Sequence, residues 1–189
     1  MNKVEFIKEL TEGTLFGDPP RPFFNHLNNV SQLIAGLFPE DQYLIDAGLY
    51  HSVYGTSYFP FDSNVTREKI ISLIGEKAEN LVHIFCSLER RSIQIIQHKF
   101  PLTIQRDLYI LEYINLLEAS LDRVKNLGRL NPLTIFLLQL IRSNLKDHYS
   151  IITPPLPFEA KPYNKLTVEC FLKNCVLLLV DLIQFTVVI

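Results

Sequence analysis

Two histidines and an asparagine stand where helical faces call for apolar side chains. His26 heads the stripe His26, Val30, Leu33, Ile34 and Leu37, whose spacing predicts one face of a helix running to about Phe38. His51 shares a face with Leu44, Ala47 and Gly48 in the stretch DAGLYHSVYG. Asn115 lies within DLYILEYINLLEASLDRV, a segment apolar nearly all round in its first part. A buried polar side chain costs free energy unless it finds a partner. Three such groups on three helices can converge at one point, which is how helical bundles build metal and ligand sites. Imidazole nitrogen suits metals such as zinc and iron, and an amide adds a weaker oxygen donor.

The elements that must position these groups are helical throughout. A short helix is expected around Val4 to Leu10, ended near Gly13, and TLFGDPPRP reads as a loop because glycine and proline break helices. Pro39 marks the end of the helix that carries His26, and Gly55 most simply caps the helix that carries His51. Thr66 can N-cap REKIISLI, and Gly75 closes it. EKAENLVHIFCSLERR then restarts a helix, with Arg90 and Arg91 in its last turn, where the helix dipole favours cations. A buried helix is expected from Arg106 to about Val124, another from Pro132, and a last one from about Leu166. No strand alternation of useful length is present. The fold class is all-α, a single bundle of about seven or eight helices over residues 1–189.

Bulk properties narrow the function. The 189 residues are 48% hydrophobic and 20% charged, with a net charge of -2, so there is no basic excess to neutralise the phosphates of a nucleic-acid duplex. Three cysteines, Cys86, Cys170 and Cys175, form no C-x-x-C pair. Free thiols in a reducing, cytoplasmic setting are the simple expectation. The N-terminus lacks the continuous apolar run of a signal peptide. The greasy C-terminal stretch CVLLLVDLIQFTVVI is interrupted by Asp181 and is too short for a bilayer span. It is expected to be a core helix or a homodimer contact.

The motif text resembles the HD-domain superfamily. HD metalloproteins hold a divalent metal with a histidine on one helix, a His-Asp doublet on the next and an aspartate on a late buried helix. AGLYHS, from Ala47 to Ser52, is similar to the A-[AL]-L-L-H-D of the RelA/SpoT-type (p)ppGpp hydrolase domains, and LEYIN resembles their I-K-L-A-D segment. The blocks NHLNNV, AGLYHSVYGT and LIGEKAENLVHIFC more closely resemble a little-characterised HD-like family of bacterial and plant proteins, over roughly residues 14–120. Residues from about 125 to 189 form a helical extension that the resemblance does not cover.

The resemblance implies an HD-like bundle with His26, His51 and Asn115 as metal ligands, and His51, Ser52 and Thr56 at the catalytic positions. Ser52 and Asn115 stand where the family carries aspartates, and Gly55 and Thr56 stand where the (p)ppGpp hydrolases carry a Glu-Asp pair. Hard cations want anionic oxygen ligands, so among iron, manganese and zinc these replacements favour zinc or iron. Tyr54, Glu112 and Arg90 are the candidates for lining a small-molecule pocket. The implied function is metal-dependent hydrolysis of a phosphorylated small molecule. The alternatives are a catalytically inactive HD-fold binding or regulatory module and an iron-dependent HD-fold oxygenase.

Overall fold

The computed structural model describes residues 2–97, 100–127, 130, 132–153 and 156. The helix expected from about Leu166, with Cys170, Cys175 and the homodimer contact, lies outside the described residues. The described elements fall in the compact unit Met1–Pro155. They are eight helices and one two-stranded ribbon, so the protein is all-α. Among the described residues no helix is long and apolar enough to cross a membrane.

Local chemistry explains most of the element ends. Helix α1, Lys3–Leu10, is started by a capping box between Asn2 and Glu5. Helix α4, Arg67–Ile74, begins where the Thr66 side chain accepts from the Lys69 amide, and it ends at Gly75, with φ of 80°. Helix α2, Phe23–Leu37, buries Phe23, His26, Leu27, Val30 and Ile34 along one face. That face packs on α3, Gln42–Tyr50, and on the 26-residue α7, Leu102–Leu127. Helix α5, Glu76–Ser87, packs on α3 and α7 from another side. Helix α8, Pro132–Tyr149, covers α7 with Leu138, Ile141 and Leu145.

Gly48 permits the close approach of α3 to α2. A Cβ there would lie 2.7 Å from Ile34 Cδ1 and 3.3 Å from the Ser31 Cα. Because Gly48 is one turn before His51, this approach brings His51 against α2.

Two features differ from the sequence expectation. The segment read as a loop before α2 contains a small ribbon, with β1, Leu15–Phe16, antiparallel to β2, Arg21–Pro22. Its strands are two residues long, too short for any alternation to register in the sequence. The helix expected through Arg91 instead stops at Ser87, where Leu88 turns extended. Arg91 opens a separate helix, α6, Arg91–Ile96, and is buried rather than placed on a solvated last turn.

Gly55 holds the corner after α3. Its φ is 73°, and a Cβ would lie 2.8 Å from the Phe61 carbonyl oxygen. Left-handed backbone costs a non-glycine residue about 1–2 kcal/mol and a steric clash adds about 1–3 kcal/mol. Gly55→Ala is therefore expected to lower stability by roughly 2–4 kcal/mol, measured by urea denaturation. A loss within about 0.5 kcal/mol would show that the corner relaxes freely.

Candidate functional site

His26 and His51 meet in the core. His51 is fully buried and His26 nearly so, and their Nε2 atoms lie 3.1 Å apart. Their rings stand nearly perpendicular, at 77°. Each ring is fixed through its other nitrogen. His51 sits just past the last residue of α3, still in helical conformation, and its Nδ1 donates to the Gly48 carbonyl at 2.7 Å. His26 Nδ1 lies 2.5 Å from Glu118 Oε2.

Glu118 is the centre of a buried cluster reaching three elements. Arg21 forks onto it with Nη1 at 2.7 Å and Nη2 at 2.6 Å. Asn29 on α2 donates to Oε1 at 3.0 Å. Burial works against ionisation of this carboxyl, but the hydrogen bonds from His26, Arg21 and Asn29 outweigh it and hold it at about 2. The ribbon supplies Arg21 by register: Phe16 pairs with Arg21, and directly opposed residues share a face. So Arg21 reaches Glu118 while the Phe16 ring stacks on His26, with centroids 4.1 Å apart and planes at 17°. Phe23, Phe59 and Phe61 extend this aromatic cover.

On the far side, the Phe85 ring stands edge-on to His51, 5.8 Å between centroids. The Arg91 guanidinium lies over the same ring, 4.1 Å from its centroid. Arg91 Nε donates to Glu112 Oε2 at 2.7 Å, and the Ser92 hydroxyl donates to the other oxygen in a short hydrogen bond. Asn115 Nδ2 approaches Glu112 Oε2 at 3.4 Å. Glu112, Asn115 and Glu118 recur every three residues along α7, so one helix stripe serves both clusters.

Of the residues singled out in the sequence, the structure joins His26 to His51 directly and ties Asn115 to Glu112 rather than to an imidazole. Glu112 is buried, in place of the solvated face that is the more common fate of such a residue. Ser52 is buried beside His51, and no hydrogen bond of its hydroxyl occurs among the described residues. Thr56 Oγ1 accepts from the Phe59 amide at 3.0 Å and braces the corner after Gly55. Tyr54 is engaged elsewhere: its hydroxyl donates to the buried Glu79 at 2.9 Å, which Arg67 also grips at 2.7 and 2.6 Å. Arg90 is exposed, and its neighbour Arg91 is the buried one. Cys86 donates its S–H to the His51 carbonyl at 3.2 Å, and burial pushes the thiol up to about 12, so it stays protonated. Arg21, Glu118 and Arg91 are the site residues the sequence reading did not select. The three-residue recurrence on α7 was the available signal for Glu118.

Burial, and next electrostatic interaction with the neighbouring His26, push His51 well below its ordinary value, so its Nε2 carries a lone pair. A histidine kept neutral, like a carboxyl kept ionised, stabilises the fold above the group's ordinary pKa and loses that contribution as pH falls toward the folded value. Stability is therefore expected to decline with acidification in two windows, below about 6.5 for His51 and from about 4.3 toward 2 for Glu118. Each group contributes at most about 1.4 kcal/mol per pH unit within its window. Urea midpoints measured from pH 7.5 to 3 test this, and a flat profile between 7.5 and 5 would contradict a neutral His51.

Residues 14–90 match the model of a domain of unknown function (DUF6817). The match takes in the ribbon, α2, α3, α4 and α5, and with them His26 and His51. It ends before Arg91, Glu112, Asn115 and Glu118. No curated protein and no solved structure gives a match.

Proposed function

We propose that this chain is an HD-like helical protein whose His26–His51 pair is a degenerate metal centre serving a small phosphorylated ligand, with metal-assisted hydrolysis as its reaction. The observation that carries this reading is the contact between the two Nε2 atoms. Both Nδ1 atoms face acceptors, a carbonyl and an ionised carboxylate, so both act as donors. Two Nε2 lone pairs 3.1 Å apart repel unless a cation or a proton lies between them. Adjacent imidazole ligands on one tetrahedral zinc ion are themselves about 3.3–3.4 Å apart, so the two nitrogens would need to part by only roughly 0.2–0.3 Å to hold one.

The donor set narrows the metal. Two imidazoles with fixed tautomers, oriented by Glu118 and by the Gly48 carbonyl, suit zinc or iron. Manganese fits poorly, since Glu112 and Glu118 are each committed to an arginine. Among the described residues no group of three or more His, Cys, Asp and Glu side chains could hold an ion. A bound metal would lower the pKa of its water toward neutrality and so supply a nucleophile. The chain's own residues would do the rest: His26 and His51 would hold the ion, Glu118 and Gly48 orient them, and Phe16 and Phe85 pack against the rings. The same commitment of both carboxylates leaves an iron oxygenase without its carboxylate ligand.

A second reading is favoured by Ser52 and Asn115 at the aspartate positions. Here a proton occupies the gap, His26 donates through Nε2 to His51, and the protein is a binding or regulatory module without hydrolysis. Metal content decides between the two. Protein purified without chelator is analysed by mass spectrometry for metals, beside His51→Ala. About one ion per chain, lost in the variant, supports the metal centre, and a panel of phosphate esters then tests hydrolysis. No metal in either protein, with an intact helical spectrum, sinks the metalloenzyme and leaves the proton-paired module.

A further inference from the structure

Arg91 carries a donor edge that no acceptor among the described residues meets. It is 6% exposed, and its Nε is bonded to Glu112. Its Nη1 is buried without a hydrogen-bond partner, and no acceptor among the described residues meets Nη2. A buried N–H left unmet costs about 1–3 kcal/mol. In native proteins such groups are satisfied by the chain, by water or by a ligand. The guanidinium lies over the Phe85 ring, 4.1 Å from its centroid, and 5.5 Å from the centroid of the Tyr58 ring. Stacking engages the face and leaves the in-plane edges to donate. Tyr58 is 66% exposed, while Phe85 is buried between the guanidinium and the His51 ring.

We propose that the Nη1–Nη2 edge of Arg91 receives an oxyanion of the ligand, a phosphate or a carboxylate, at the corner between α5 and α6, across the Phe85 ring from His51. This deepens the function proposed above and rests on it for a ligand bound near the histidine pair. It does not need the metal. The paired terminal N–H groups match two oxygens of one anion, a geometry that lysine cannot supply. Glu112 holds Nε, so the outer edge is aimed before any ligand arrives. The exposed Arg90 has no such constraint and serves as the control.

Inorganic phosphate and acetate are the probes. Binding is followed by NMR on the full chain, before and after EDTA treatment, through the backbone around Arg91 and its assigned side-chain Nε–H resonance. Saturable shifts at Arg91 with either anion are expected. Arg91→Lys should weaken binding at least about tenfold, and Arg90→Lys should leave it unchanged. The stronger of the two probes identifies the ligand's anionic group. If Arg91→Lys fails to fold, the wild-type titration still decides: no shift at Arg91 with either anion means that water meets the edge and overturns the proposal. Binding unchanged in a folded Arg91→Lys overturns it as well. Because the EDTA-treated protein is tested too, an absent metal and an absent anion site give separate results.

Discussion

Glu118→Ala is expected to cost about 3–5 kcal/mol, a large share of the 5–15 kcal/mol that holds a typical domain together. The carboxylate ties the ribbon and α2 to α7 through Arg21, His26 and Asn29. Its removal takes one acceptor from the Arg21 guanidinium and the acceptors of the His26 Nδ1–H and the Asn29 amide. The Arg21 side chain is 16% exposed and can recover some hydration, whereas that of His26 is 1% exposed and cannot. The penalty is therefore mostly that of stranded donors, which exceeds the value of the hydrogen bonds themselves. Glu118→Gln keeps the volume but turns an amide N–H₂ toward the guanidinium or the ring, so it should recover only part of the loss. Urea denaturation at pH 7 measures both variants. A cost below about 1 kcal/mol for Glu118→Ala would mean that water already reaches the cluster. If the centre binds metal, loss of the partner that orients His26 should also weaken that affinity by about 10–100-fold.

The same cluster shows what could be read from the chain and what could not. Helices were legible because their apolar residues recur at the helical period and their ends carry Thr66, Gly75 and Pro132. His26 and His51 were legible because each interrupts such a face. Their partners were not. Arg21 lies in a Pro-rich stretch where two strands of two residues leave no periodic signal, and only the pairing of Phe16 with Arg21 aims its side chain. Arg91 follows Arg90 at what looks like a basic helix end, and local sequence does not announce that Leu88 turns the chain there. Glu112 and Glu118 sit three residues on either side of Asn115, yet a lone glutamate on a helix is normally solvated. Their burial depends on arginines distant in sequence, and that is tertiary information.

The Arg91–Glu112 pair makes the second large prediction, and its value lies in a contrast. Glu112→Ala should cost about 3–5 kcal/mol, because it leaves a guanidinium charge in a site where Arg91 is 6% exposed. Ser92 and Asn115 lose their acceptor in the same step. The double variant Arg91→Met, Glu112→Leu should regain at least half of that loss, since replacing both ions removes both desolvation costs. Methionine can keep a favourable contact with the Phe85 ring that Arg91 now covers. Denaturation of the single and double variants under one set of conditions measures the contrast. A double variant no better than Glu112→Ala would make the ion pair a genuine source of stability. A recovered double variant says instead that an apolar pair would hold α6 on α7 nearly as well. The free donor edge of Arg91 then calls for a reason other than folding, and the double variant, folded but without the guanidinium, should have lost the oxyanion site along with the charge.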